Sequence, residues 1–156
     1  MDVTRDTPDE LLLEERLVGV RSFGAFFTLT GAFLILLNAW RGGGSFLFGL
    51  LFVAIGLAIV LLPRTTTIKF DRPRARVTLD RNGMILAPVH REVALDKVRE
   101  VVVDAHKNDE GGHTYRVELH IEGEAVLPFT EWWASGKSDK SAIKERVEDW
   151  LQRRGA

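Results

Sequence analysis

The chain has 156 residues, the length of about one domain, and a formal net charge of −1, which offers no electrostatic argument for a nucleic-acid partner. It contains no cysteine, which excludes a disulfide framework, thiolate metal ligands and a catalytic thiol. Its charge is also segregated: from Ser22 to Leu62 the only charged residue is Arg41.

Residues 1–21 read as a polar segment ahead of that apolar window. Inside it lie two runs, Ser22–Trp40 and Phe46–Leu62, of 19 and 17 residues by inclusive count. As helices they reach about 28 and 25 Å, near the ~30 Å hydrocarbon core of a bilayer. Neither carries a polar stripe, and a soluble domain this small has too little mass to surround both. A cleaved signal peptide does not fit either, because many acidic and polar residues precede the first run. The expectation is a transmembrane hairpin over residues 22–62.

The small residues Gly24, Thr28, Gly31 and Ala32 in the first run, and Gly49, Gly56 and Ala58 in the second, suit close packing of helices. Between the runs, Arg41–Ser45 includes three glycines, read as the tight turn of the hairpin rather than a phosphate cradle. Arg5, Arg16 and Arg21 precede the runs, and Arg64, Lys69, Arg72, Arg74, Arg76 and Arg81 follow them. The positive-inside rule then places both termini in the cytoplasm of a multi-pass protein of the cell (inner) membrane.

Residues 63–156 alternate mainly with period two and form the expected cytoplasmic domain. Thr65–Phe70 and Ala75–Asp80 read as strands, and Asn82-Gly83 as a two-residue hairpin turn that sets Leu79 opposite Leu86. Further strands are expected around His90–Ala94 and within Asp96–Ala105, with Asn108–Gly112 as the next turn. In the strand that follows, Tyr115, Val117, Leu119 and Ile121 share one face, and Arg116, Glu118 and His120 the other. Glu122–Glu124 turns into a last short strand. A final helix carries Ile143, Val147, Trp150 and Leu151 on one face, with Ser138 or Asp139 placed to cap it.

The stretches IKFDRPRARVTLDRNG, REVALDKVREVVV and YRVELHIEGEAVLPF, with the terminal VEDWL, resemble small bacterial two-span membrane proteins with a pleckstrin-homology-like domain. The layout is also similar to photosystem I assembly proteins with two N-terminal spans. The resemblance implies an α+β membrane protein: a two-helix transmembrane hairpin, then an antiparallel β-barrel or sandwich of about seven strands closed by a C-terminal helix. It also implies phosphorylated lipid headgroups as a contact for the basic connection Asp71–Arg76, through Arg72, Arg74 and Arg76.

Catalytic signatures are weak. Gly136-Lys137-Ser138 imitates the end of a P-loop, but Glu131 stands where that pattern needs its first glycine. His90, His106, His113 and His120 show no ligand spacing, and there is no G-x-S-x-G elbow. No enzyme activity, metal or cofactor is expected. Trp132 and Trp133 precede the last helix; one is read as packing under it and the other as exposed, at the lipid interface or in a partner contact. The reading is a non-catalytic membrane interaction module that scaffolds or assists assembly of membrane complexes. Its partners would be membrane lipids and another membrane protein or a second copy, with no nucleic acid. The alternatives are an accessory subunit of a transport system and an anionic-lipid-binding membrane protein.

Overall fold

The computed structural model describes residues 1–15, 17–41, 46–107, 111–123, 126–130 and 133–153. They fall into two compact units. One holds Met1–Glu15, Thr66–Arg81 and the chain from Val89 onward; the other holds Arg16–Thr65 together with Asn82–Pro88.

The first unit begins with strands β1 (Asp2–Asp6) and β2 (Glu10–Glu14), joined by a turn in which Thr7 Oγ1 accepts the Glu10 N–H at 3.0 Å. After the apolar window come β3 (Thr65–Asp71), β4 (Arg76–Asn82) and β5 (Val89–Ala94). These form a five-stranded sheet in the order β1-β2-β3-β4-β5. A short 3-10 turn at Leu95–Lys97 leads into β6 (Val98–Lys107), β7 (His113–Ile121) and β8 (Leu127–Pro128), a three-stranded sheet. Helix α3 (Lys137–Gln152) completes the unit.

The period-two pattern explains its core. Leu11 and Leu13 pair across the ladder with Phe70 and Ile68, Val77 with Val93, and Val101 with Leu119, all buried. Ile143, Val147 and Trp150 of α3 join the same cluster, at the i, i+4, i+7 spacing of one helix face. The helix starts on Gly136, at φ 95°, with no side-chain cap, so Ser138 and Asp139 lie in its first turn rather than capping it.

The second unit contains α1 (Val18–Arg41) and α2 (Phe46–Leu61), which pack on each other. Among the described residues one helix alone, over Val18–Trp40, is long and apolar enough to cross a membrane. At 16 residues α2 reaches about 24 Å, short of the ~30 Å core. The proline at 63 stops it: the residue before a proline is driven out of helical geometry, so Leu62 falls outside. The expected pair of spans, and with it the multi-pass topology, is therefore not supported.

The expected barrel or sandwich is corrected as well. The strands form two sheets with no closed barrel among the described residues, and β1 and β2 come from residues 1–15, read above as a polar segment. The tight turn at Asn82-Gly83 is not made either. Its register would have set Pro88 opposite Val77, placing a residue without an N–H in the ladder. Instead Val77 pairs with Val93 and Leu79 with Arg91, and residues after Asn82 leave the sheet until Val89. The glycine turn expected at Arg41–Ser45 lies outside the described residues, apart from the helical backbone at position 41.

Candidate functional site

The helical unit is built around four glycines. Gly24 and Gly31 on α1 face Gly56 and Gly49 on α2, so the helices run antiparallel with a two-turn repeat. A Cβ built on Gly31 would stand 2.7 Å from the Gly49 carbonyl oxygen and the Val53 nitrogen; one on Gly24 would stand 2.9 Å from the Gly56 carbonyl oxygen. A Cβ on Gly56 would meet Thr28 Oγ1. Phe27 and Phe52 stack beside this seam with centroids 5.3 Å apart. The backbones approach so closely because the residues at the contact have almost no side chain.

The outward face is apolar. Phe23, Phe26, Leu29, Phe33 and Leu36 of α1 are exposed, as are Leu47, Phe48, Leu51 and Ile55 of α2. Thr28, Thr30 and Asn38 turn their side chains back to donate to the carbonyls of Gly24, Phe26 and Leu34 one turn earlier. These three side chains are thus satisfied without water.

In the β unit, Arg72, Arg74 and Arg76 are not brought together into one cationic patch. Arg72 donates to the carbonyl oxygens of Pro8 (2.6 Å) and Trp150, and its guanidinium lies 4.2 Å from the Trp150 ring centroid. Arg76 makes a two-pronged contact with Glu92 at 3.0 Å. Arg74 is the most exposed of the three and lies 4.0 Å from Asp71. That leaves Arg72 as a clasp between the β1–β2 turn, the β3–β4 turn and α3.

The β3–β4 turn depends on Asp71, whose carboxylate accepts the Arg74 N–H at 3.1 Å and pairs with Lys69 at 3.4 Å. Burial works to raise this carboxyl; the Arg74 N–H and the Lys69 charge outweigh it and hold it below the ordinary carboxylate value. On β4 and β5, His90 Nδ1 lies 2.6 Å from Asp80 and Nε2 lies 3.4 Å from Glu92. The hydrogen bond to Asp80 raises the His90 pKa above 6.5, against a smaller effect of burial.

Trp132 lies outside the described residues. Trp133 is half-buried beside the β6–β7 sheet, 5.4 Å from the His106 ring and 4.4 Å from the Arg116 guanidinium. Arg116 is in turn paired with Glu118, whose side chain is buried. Among the described residues the tryptophan inside the core is Trp150, carried by α3 itself and donating from Nε1 to the Thr7 carbonyl at 2.7 Å. His113 packs near Tyr115 and His120 lies 3.2 Å from Glu100. Among the described residues no group of three or more His, Asp or Glu is arranged to hold a metal.

An open groove of about 560 Å³ runs between the chain start and α3, lined by Asp2, Ser135, Asp139, Lys140 and Arg146 among others. It mixes both signs of charge, and Arg146 is already paired with Asp6 at 2.6 Å. Gly136 and Lys137, the P-loop-like pair, are the cap and first residue of α3 and sit beside Asp139, an unfavourable neighbour for phosphate.

Two elements were not anticipated from the residues. One is the β1–β2 hairpin, whose sequence carries no alternation at all: Leu11, Leu12 and Leu13 are consecutive, in a segment rich in acidic residues. The other is the segment Asn82–Pro88, in which Met84, Ile85 and Leu86 are exposed. Its signal was the run of apolar residues without a charge between two turn-formers. Compared with protein-family models and with curated proteins, the chain matches none.

Proposed function

We propose that this chain is a membrane-anchored, non-catalytic interaction protein, held in the bilayer through α1 and presenting its β unit to water. The observation that carries the reading is the outward face of α1. Only 11% of its apolar stretch is buried, yet it exposes phenylalanine and leucine along its whole length. Water-soluble surfaces seldom carry an apolar patch of that extent, whereas lipid accepts it and demands the internally satisfied threonines and asparagine described above.

The role as an interaction module, assisting or scaffolding other membrane proteins, is supported by what the β unit offers. It has a well-packed core and a surface of paired charges. Cell fractionation tests the anchoring: the full chain should stay in the pellet after alkaline carbonate and high salt, and recovery in the supernatant would overturn it. Crosslinking in native membranes followed by mass spectrometry tests the rest. A reproducible membrane-protein partner, or a second copy, is the expected outcome, and crosslinks to none would overturn the interaction role.

A further inference from the structure

The segment Asn82–Pro88 links two strands of the β unit but clusters with the helices. Its contact is specific: a Cβ built on Gly83 would stand 3.1 Å from Cγ of Arg64, just beyond the end of α2. The antiparallel glycine seam sets Gly24 of α1 against Gly56 and Val60 of α2, so the start of α1 and the end of α2 share one end of the helical unit. The segment therefore sits at that end.

Three consecutive apolar side chains project from it. Met84 is 62% exposed, Ile85 64% and Leu86 39%, and no charged residue occurs anywhere from Asn82 to Pro88. Around the same end, Val18 and Val20 of α1 and Leu62 after α2 are also exposed. The apolar surface of the helices thus continues onto the segment instead of stopping at the helix ends. Arg21 and Arg64, within the same unit, supply positive charge at this level.

We infer that Met84, Ile85 and Leu86 form a lipid-dipping tip, inserted at the boundary between headgroups and acyl chains beside the end of the helical unit. This rests on the reading of α1 as a membrane anchor. Aliphatic side chains gain from leaving water, while the polar backbone of a non-helical segment restricts it to the interfacial depth, where headgroups and water satisfy N–H and C=O groups. Arginine beside such a tip favours an anionic leaflet. The occupant is lipid rather than protein because the patch continues the face that the anchor gives to lipid.

The absence of cysteine from the chain makes the test direct. Full-length Ile85→Cys, Leu29→Cys and Arg91→Cys variants are labelled with an environment-sensitive fluorophore and reconstituted in phosphatidylcholine–phosphatidylglycerol vesicles carrying shallow or deep doxyl-lipid quenchers. Position 85 should lose most of its emission to the shallow quencher and less to the deep one; position 29 should show the reverse order, and position 91 should be quenched by neither. If position 29 is quenched but position 85 behaves like position 91, the tip is overturned and the anchor stands. If position 29 is not quenched, the anchoring reading falls. A blue-shifted but unquenched probe at position 85 overturns the tip by showing that protein covers it.

Discussion

The two units place the same apolar residue types on opposite sides of their surfaces. In the β unit Phe70, Phe129 and Trp150 are fully enclosed, and charged residues cover the outside. In the helical unit Gly24, Gly31, Gly49 and Gly56 are buried, while Phe23, Phe26, Phe33 and Phe48 point outward. Burying phenylalanine in the first case lowers the free energy because water is the alternative. In the second the surroundings proposed for the helix are as apolar as its side chains, so the interface is decided by how closely two backbones can approach. Each unit therefore has its own kind of fragile position.

The largest expected effect is at Trp150. It packs on Phe70 with centroids 5.7 Å apart, carries the Arg72 guanidinium on its face and holds the Thr7 carbonyl. Trp150→Ala should destabilise the β unit by about 3–5 kcal/mol. Hydrogen exchange of the full chain in micelles should show loss of protection in β7 and earlier loss in β1 and β2, while α1 and α2 keep theirs. Equal loss in the helices would break the contrast, since the two units would then not unfold separately.

At the helical seam the comparison predicts the reverse sensitivity, with added rather than deleted atoms doing the damage. Gly31→Val forces a side chain against the Gly49 carbonyl and should cost about 1–3 kcal/mol of helix–helix association. A Phe27→Cys, Phe52→Cys pair should crosslink readily in the parent and poorly in the valine variant. Gly19→Val is the control, because a Cβ there meets nothing within 4 Å, so its crosslinking yield should be unchanged.

These positions show how unevenly the sequence reveals the structure. The glycine repeat and the alternation of Val117, Leu119 and Ile121 are periodic, and the periods survive folding because each element presents one face to its neighbour. Composition overstates the second run: Phe46 to Leu62 is apolar throughout, but the proline at 63 ends its helix before the length of a bilayer is reached. Long-range choices were hidden for a different reason. Nothing local to Leu11 and Leu13 announces that they will pair with Phe70 and Ile68 across the whole helical unit, and the strong local turn signal at Asn82-Gly83 lost to a register that buries Val77 against Val93. The same limit applied to Arg72, whose partners Pro8 and Trp150 lie far away in sequence.

A smaller effect is expected at Ala75, which closes the β3–β4 turn at φ 51° and accepts the Leu95 N–H at 2.8 Å. A left-handed conformation costs an alanine about 1–2 kcal/mol, and glycine gives back part of that in unfolded-state entropy. Ala75→Gly should therefore stabilise the β unit by up to about 1 kcal/mol, read as a higher urea midpoint for its exchange-protected core. The helical unit should not respond. A destabilised Ala75→Gly would mean that the turn is held by Asp71 and Arg72 strongly enough for the backbone strain to be irrelevant.

The smallest effect concerns the water-facing side of the β unit, where His90 lies between Asp80 and Glu92. Its pKa is raised above 6.5 in the folded chain, mainly by the Asp80 hydrogen bond. The sign follows from linkage: a raised value means that the folded state holds the proton more tightly. The stabilisation is then fully present below pH 6.5 and disappears as pH rises through the folded value. The histidine ring resonances should titrate above 6.5 in the parent and move down toward it in Asp80→Asn, and the pH dependence of β-unit stability in this window should flatten in that variant. The exposed position of the ring keeps the change small, because solvent screens the pair. Addition of salt should shrink it further, whereas neither salt nor pH across this range should alter the crosslinking of α1 to α2, whose seam carries no charged residue.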